Sequence, residues 1–352
     1  MSVFGGLTRG ASGDGGGAPP KKARPSNTPE ELCNAVGLAV KGEGARVLVM
    51  EVSESNSHSE FVEYIVNMVA PLATVQVADL TEIQNYGRTL DDPESESEPS
   101  EVDESGSEPS ESEESEGLVL ARKEKVHVYK LLRKEIEKFK PDVVNMSYRM
   151  THPLDMVDHE PGTHEGWEKY ERDYELDTEE NVGMIDDMQD TLFVIASGNE
   201  ASEVHSSGFE TYRHCSNVII CIGVDAGNAP VLSARPNVYR GRGTPCVCAV
   251  SEGVLVNGHT IDGTSFGAPA ISGVAALIKS AHPNYTPRQV LRTITKSARR
   301  SFKVGDVYVC KTHEELAEKR AMGMQAELFD AGVYGAGILD AAAALRYDGL
   351  VL

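Results

Sequence analysis

The chain has 352 residues and a formal net charge of −22, and its length is sufficient to bury the core of one large domain or of two ordinary ones. Much of the charge is local, because residues 91–117 contain thirteen Asp and Glu residues and no Lys or Arg. The rest of the chain is only moderately acidic. The charge therefore gives no reason to expect a nucleic-acid partner.

Targeting signals and cysteine spacing indicate the compartment. No stretch supplies the roughly 18 consecutive apolar residues of a membrane span, and residues 1–25 are polar and Gly-rich, unlike a signal peptide. The six cysteines lack the paired spacing of a zinc site. We therefore expect an intracellular protein, cytoplasmic or nuclear, with reduced thiols and no membrane partner.

Three stretches are expected to lie outside the compact core of a single domain that covers residues 30–350. Residues 1–29 are predicted to form a disordered tail, residues 89–117 a disordered acidic Ser/Glu-rich insertion, and residues 149–182 a polar surface insertion. The serines of the acidic insertion suit an acid-directed kinase or another partner, but a solvated spacer is the simpler interpretation and is favoured over a modified segment.

The predicted elements alternate between helices and strands. A short helix at 30–40 precedes a strand at 45–52, a helix that starts near His58 and a strand at 73–80. This strand, helix and strand make a βαβ unit, which requires a parallel sheet and an α/β fold. Further strands are predicted at 142–146, 191–196, 218–224 and 247–250, and further helices at 123–140, 182–189, 287–299 and 338–346.

Four polar side chains fall at the ends of these elements. Glu51 lies at the C-terminal end of the strand at 45–52 and Asn199 lies at the end of the strand at 191–196, whereas His58 and Ser265 open helices. A serine hydroxyl becomes a good nucleophile when an imidazole takes its proton and a carboxylate orients that imidazole. A side-chain amide can then stabilise the oxyanion. The simpler alternative is that Thr264 or Ser265 only caps the helix.

Several motifs resemble, in chain order, those of the subtilisin-like serine peptidases (subtilases). Residues 263–269, Gly-Thr-Ser-Phe-Gly-Ala-Pro, resemble the nucleophile motif, and residues 196–200, Ala-Ser-Gly-Asn-Glu, resemble the oxyanion motif. Residues 142–147, Asp-Val-Val-Asn-Met-Ser, resemble the strand beside the substrate. The resemblance implies a three-layer αβα fold with a mostly parallel sheet. It also implies that Ser265 is the nucleophile and that Asn199 is the oxyanion donor. Ser147, Ser197 and Gly198 are then the residues that bind substrate.

The front half departs from the family pattern. His58-Ser59-Glu60-Phe61-Val62 keeps the first histidine of the usual His-Gly-Thr-His-Val motif but lacks its glycine, and Glu51-Val52-Ser53 stands where Asp-Ser/Thr-Gly is usual. The resemblance implies that His58 is the base and Glu51 the acid, although Glu51 could be only a charge at a strand end. His164 is an alternative base, but it follows the substrate strand, whereas the family's histidine precedes it.

The sequence therefore predicts an intracellular serine endopeptidase that hydrolyses peptide bonds in protein or peptide substrates. No metal or organic cofactor is required. Structural calcium is possible because many relatives bind it, but no ligand can be identified in this sequence. The alternative, suggested by the altered acid and histidine motifs, is a binding protein on a catalytically degenerate subtilase fold.

Overall fold

The computed structural model describes residues 28–50, 56–78, 130–147, 181–199, 212, 215–231 and 245–348. Predictions about residues 1–27, the acidic insertion at 89–117 and residues 149–180 of the polar insertion lie outside these residues. Glu51 and His164 lie outside them as well.

A six-stranded parallel sheet forms the centre of the molecule. Its strands are β1 (Arg46–Met50), β2 (Thr74–Val77), β3 (Val143–Met146), β4 (Leu192–Ala196), β5 (Val218–Val224) and β6 (Cys246–Val250). Their order across the sheet is β2-β1-β3-β4-β5-β6. The strands were predictable because they are nearly continuous apolar runs, as expected for strands that are covered on both faces.

Nine helices accompany the strands in the described part of the chain. They are α1 (Pro29–Leu32), α2 (Asn56–Val69), α3 (130–139), α4 (181–187), α5 (Thr264–Ala281), α6 (Pro287–Ser297), α7 (His313–Ala321), α8 (Ala331–Tyr334) and α9 (Ala341–Leu345).

The two faces of the sheet pack against different helices. Successive side chains of a strand point to opposite faces. In β1, Val47 and Val49 therefore join the apolar cluster that contains α2 and α5, whereas Leu48 and Met50 join the cluster that contains α3 and α4. The result is a helix–sheet–helix sandwich, and the predicted three-layer α/β fold is confirmed.

The predicted helix at 30–40 is wrong in length, because α1 ends at Leu32. Asn34 (φ 60°) and Gly37 (φ 72°) adopt left-handed backbone conformations that an α-helix does not contain. The segment is held instead by burial of Cys33 and Ala35 in the core next to α2 and α5.

Several small elements were not predicted from the sequence. A two-stranded antiparallel hairpin, β7 (Val254–Val256) and β8 (His259–Ile261), connects β6 to α5. Its turn is formed by Asn257 and Gly258, both with positive φ. A second, three-stranded sheet follows α6 and consists of β9 (Phe302–Val304), β10 (Val307–Cys310) and β11 (Ala326–Leu328), with α7 between β10 and β11.

The strand order creates a crevice at the C-terminal edge of the sheet. The chain passes from β1 to its neighbour β2 on one side of the sheet. From β3 it passes to β4, which lies on the other side, so the connections diverge between β1 and β3. Ligand sites of open α/β sheets occupy such switch points. Here α2, which carries His58, begins beyond β1, and Ser147 directly follows β3.

Candidate active site

Ser265 is the second residue of α5 and is half-buried at the sheet edge. The residue before the helix, Gly263, has φ 135° and ψ 150°, a conformation that an L side chain rarely adopts. A Cβ atom at Gly263 would also lie 3.3 Å from Asn199 Nδ2. Glycine is therefore needed here for the chain to turn tightly into α5 beside Asn199.

The Asn199 amide is oriented by the start of α5. Its Oδ1 accepts hydrogen bonds from the Thr264 backbone N–H at 2.9 Å and from Thr264 Oγ1 at 3.1 Å. Because a backbone N–H can bond only to an acceptor, this contact identifies the oxygen end of the amide. The donor end, Nδ2, lies beside Gly263. The structure thus brings Asn199 to the nucleophile helix with its donor end at the first turn.

His58 reaches the same helix from α2. It is the third residue of α2, is half-buried, and its ring centroid lies 5.1 Å from that of Phe266, the residue after Ser265. The two rings are tilted by 44°. The fold thus brings together three of the predicted site residues, Ser265, Asn199 and His58, although they come from distant parts of the chain.

The acid predicted to orient His58 cannot be placed in the same way. In the sequence, Glu51 comes next after Met50, the last residue of β1, and it lies outside the described residues. The alternative base His164 lies outside them too. Both assignments stay predictions.

The three residues predicted to bind substrate follow β3 and β4. Ser147 and Ser197 are buried, with exposed fractions of 1% and 5%. The Ser147 hydroxyl donates to the Ser265 backbone carbonyl at 2.8 Å, so it points at the nucleophile helix. Gly198 (φ 90°) presents its carbonyl to the Thr264 hydroxyl at 3.1 Å. These contacts connect both strand ends to α5.

Sequence reasoning missed three polar residues that support the site. Thr264 bonds to both Gly198 and Asn199, and buried Asn145 and Ser272 bond to one another between β3 and α5. Thr264 stands within the motif that identified Ser265, but a role as more than a helix cap was not recognised. Asn145 looked like an ordinary member of an apolar strand, because nothing in the sequence reveals a partner that is distant along the chain.

Thiols do not compete with Ser265 as nucleophiles among the described residues. Burial raises the pKa of Cys246 to about 12 and places the pKa of Cys221 and of Cys248 far above the ordinary range. A thiol is reactive only as the thiolate, so these side chains are inert members of the core.

The described residues also bear on metal binding and on membrane insertion. They contain no group of three His, Cys, Asp or Glu side chains arranged to hold a metal ion. No helix among them combines the length and the apolar character that crossing a bilayer requires.

The arrangement has the components of acyl transfer. A hydroxyl stands at the first turn of a helix, an imidazole packs against the next side chain, and an amide donor is fixed beside the same turn. Backbone N–H groups at a helix start have no intrahelical partner and favour negative charge. An oxyanion that forms at Ser265 would therefore meet both kinds of donor.

Comparison with known proteins identifies related chains. A family model described as the Subtilase family matches residues 110–332. The subtilisin-like serine-protease S of Lotus japonicus is 36% identical over 103 residues, which are 29% of this chain and 12% of the Lotus protein. The match thus spans about an eighth of that relative.

Solved structures show the same fold. The MycP3 protease from the type VII (ESX-3) secretion system superimposes with a TM-score of 0.50 at 15% identity, over 94% of this chain and 90% of MycP3. At this identity the likeness concerns the fold alone.

Proposed function

This chain belongs to the subtilase family of serine proteases, and from that premise we propose that it is a serine endopeptidase with Ser265 as its nucleophile. The observation that carries the proposal is the pair of hydrogen bonds from Thr264 to Asn199 Oδ1, at 2.9 and 3.1 Å. They fix an amide donor beside the turn that presents the Ser265 hydroxyl.

In the acylation step, Ser265 Oγ attacks the carbonyl carbon of the scissile peptide bond while His58 takes the hydroxyl proton. The C–O bond forms as the carbonyl π pair moves onto oxygen. Asn199 Nδ2 and the Ser265 backbone N–H donate to that oxyanion. When the C–N bond breaks, His58 returns the proton to the leaving amine, and an acyl-serine remains.

In the deacylation step, water takes the place of the Ser265 hydroxyl as the attacking group. His58 takes a proton from the water as its oxygen attacks the ester, and then returns a proton to Ser265 Oγ as the product acid leaves. Glu51 is the group we propose to orient His58, because in the sequence it lies between β1 and α2, the helix that carries His58. A glutamate has one more methylene of reach than the aspartate that is usual in the family.

A fluorophosphonate probe tests the nucleophile and the base. The wild-type protein is expected to label, Ser265→Ala to lose all labelling, and His58→Ala to lose at least about a hundredfold in labelling rate. Two matched controls use residues outside the site: Ser280→Ala on α5, and His282→Ala, whose ring stacks on Tyr285 at 4.3 Å. Both controls should label like wild type.

Peptide hydrolysis tests the remaining roles. Asn199→Ala should lower kcat by about 10²- to 10³-fold, the range known for the corresponding amide of subtilisin. Glu51→Gln should lower kcat by orders of magnitude while melting stays unchanged. Unchanged activity of Glu51→Gln would show that another group orients His58.

The second candidate is a binding protein on a degenerate subtilase fold. The observation that favours it is the altered motif at His58-Ser59-Glu60, which lacks the family's glycine. Folded wild-type protein that neither labels nor hydrolyses peptides would establish this candidate and refute the peptidase.

Substrates and setting are further parts of the proposal. We propose protein or peptide substrates and an intracellular location, with a kinase acting on the serines of residues 89–117. Fractionation of cells that express the full chain, followed by phosphosite mapping of that segment, tests both. Recovery outside the cell, or an unmodified segment in kinase-active cells, would contradict the respective part.

A further inference from the structure

A proline interrupts the hydrogen bonding of α5 at the nucleophile. In an α-helix, each N–H donates to the carbonyl four residues earlier, and proline has no N–H. Pro269 lies inside α5, and the carbonyl four residues before it belongs to Ser265. The carbonyl of the nucleophile residue therefore lacks the donor four residues later that an α-helix normally provides.

A side chain from the sheet supplies the missing donor. Ser147, which follows β3, donates its hydroxyl to the Ser265 carbonyl at 2.8 Å. With only 1% of its surface exposed, Ser147 makes this contact where water does not compete freely. The bond joins the backbone of the nucleophile to the C-terminal end of a central strand.

Two buried residues determine the direction of that bond. Asn145 Nδ2 donates to Ser147 Oγ at 2.7 Å, so the single hydroxyl proton of Ser147 remains for the Ser265 carbonyl. Ser272 Oγ lies 3.0 Å from Asn145 Oδ1 and 3.2 Å from the Ala268 carbonyl, and its proton can serve either acceptor. Asn145 and Ser272 are both fully buried.

We infer that Ser147 is a positioning residue for the nucleophile, held in its donating orientation by Asn145 and Ser272. This inference rests on the proposed function and adds to it. It gives the Ser147 side chain the role of holding the Ser265 backbone, which does not require direct contact with substrate. The Ser265 N–H and Oγ belong to the same residue as the restrained carbonyl. The restraint therefore sets where the attacking oxygen and one oxyanion donor stand.

A double-mutant cycle between positions 147 and 269 tests the inference. Ser147→Ala should lower kcat and the fluorophosphonate labelling rate by about tenfold, with KM nearly unchanged. Pro269→Ala restores an N–H that can donate to the Ser265 carbonyl. In that background Ser147→Ala should cost about threefold or less. Ser147→Thr keeps the hydroxyl and should retain most of the activity.

A second pair of variants on α5 tests the buried support. Ser272→Ala removes the donor to Asn145 Oδ1 and should lower the labelling rate by about threefold, whereas Ser280→Ala on the same helix should have no effect. Thermal melting of every variant identifies loss of activity that comes from unfolding. If Ser147→Ala does not fold, Ser272→Ala and Ser147→Thr carry the test.

The outcomes separate this inference from the proposed function. The positioning role would be overturned, and the peptidase left intact, if wild type labels but Ser147→Ala causes an equal loss in the wild-type and Pro269→Ala backgrounds. A rise in KM at constant kcat for Ser147→Ala would have the same meaning. Absence of wild-type labelling would overturn both, and it is seen before any variant is compared.

Discussion

Gly273 on α5 lies directly against Val69 on α2, so that a Cβ atom added at Gly273 would come within 2.7 Å of the Val69 Cβ. The two helices carry the proposed nucleophile and the proposed base, respectively. Their close approach depends on the absence of a side chain at this point. The contact thereby sets how closely the two helices approach each other at this point.

Gly273→Ala should separate the two helices. Inserting a methyl group into a packed contact costs about 1–3 kcal/mol in the free energy of unfolding, and the shift of α2 should also slow fluorophosphonate labelling. Chemical denaturation and labelling rates measure the two effects. Gly183→Ala on α4 is the matched control, because a Cβ there meets no atom within 4 Å and should be neutral or stabilising by up to about 1 kcal/mol. Equal stability of the two variants would contradict the packing argument.

Gly267 is a second close approach, between α5 and the sheet. A Cβ atom at this position would clash with Ser251 Oγ and lie 2.8 Å from Cys221 Sγ. Gly267→Ala should therefore destabilise the protein by about 1–3 kcal/mol. Adding Ser251→Ala removes the clashing oxygen and should recover part of that loss in denaturant unfolding. If the stability losses of Gly267→Ala and Ser251→Ala simply add in the double variant, the Ser251 hydroxyl oxygen is not the obstacle.

The Asn217 amide should be important for stability. Asn217 Nδ2 lies 3.0 to 3.1 Å from the carbonyls of Ile185, Met188 and Thr191, and the side chain is buried. Asn217→Ala removes the side-chain donor from all three carbonyls and should cost about 1–3 kcal/mol. The Ile185 and Met188 carbonyls keep backbone N–H donors, so the loss falls mainly on the Thr191 carbonyl. Asn217→Asp should cost more, because a carboxylate would face the carbonyl oxygens. Denaturant unfolding measures both, and an aspartate variant as stable as wild type would refute the predicted order.

The buried thiols should make the fold sensitive to alkali. Burial raises the pKa of Cys33 and of Cys246 to about 12 in the folded state, compared with an ordinary value of 9.0. Between these values the unfolded chain releases thiol protons that the folded chain keeps, so stability falls as pH rises. Each thiol contributes a slope of up to about 1.4 kcal/mol per pH unit.

Unfolding free energies at pH 8 and pH 10 measure this slope. Cys33→Ala removes one thiol and should lose less stability than wild type over the same interval. Lysine and tyrosine titration is common to both proteins, so the difference between them isolates Cys33. Equal losses would show that Cys33 titrates normally in the folded protein.

The sequence predicted the central sheet well because each strand is an apolar run between polar turns. The smaller elements were missed for a different reason. Strands β8 and β9 have only three residues each, which is too short for a periodic apolar pattern to identify a strand. A local signal did exist at β7 and β8, because Asn257-Gly258 is a sequence typical of a hairpin turn.

The site was only partly predictable. Ser265 and Asn199 stand in motifs whose residues are adjacent along the chain, so the sequence alone could propose them. The chain of hydrogen bonds through Ser147, Asn145 and Ser272 joins the end of β3 to residues of α5 that lie 118 and 127 positions later in the chain. No local pattern in the sequence predicts such a contact. Pro269 within a helical run does indicate that the Ser265 carbonyl needs another partner.

The order of the elements has a consequence for synthesis on the ribosome. His58 lies on α2, before β2, whereas Ser265 lies on α5, after β6, and α5 packs against β1 and β3 to β6. The growing chain thus contains the proposed base and the oxyanion amide well before it contains a nucleophile. Until α5 leaves the exit tunnel, the face of the sheet that α5 covers over β3 to β6 also remains open to chaperones. If the chain has the proposed peptidase activity, that activity can begin only after the sheet is complete, which protects the nascent chain from cutting itself.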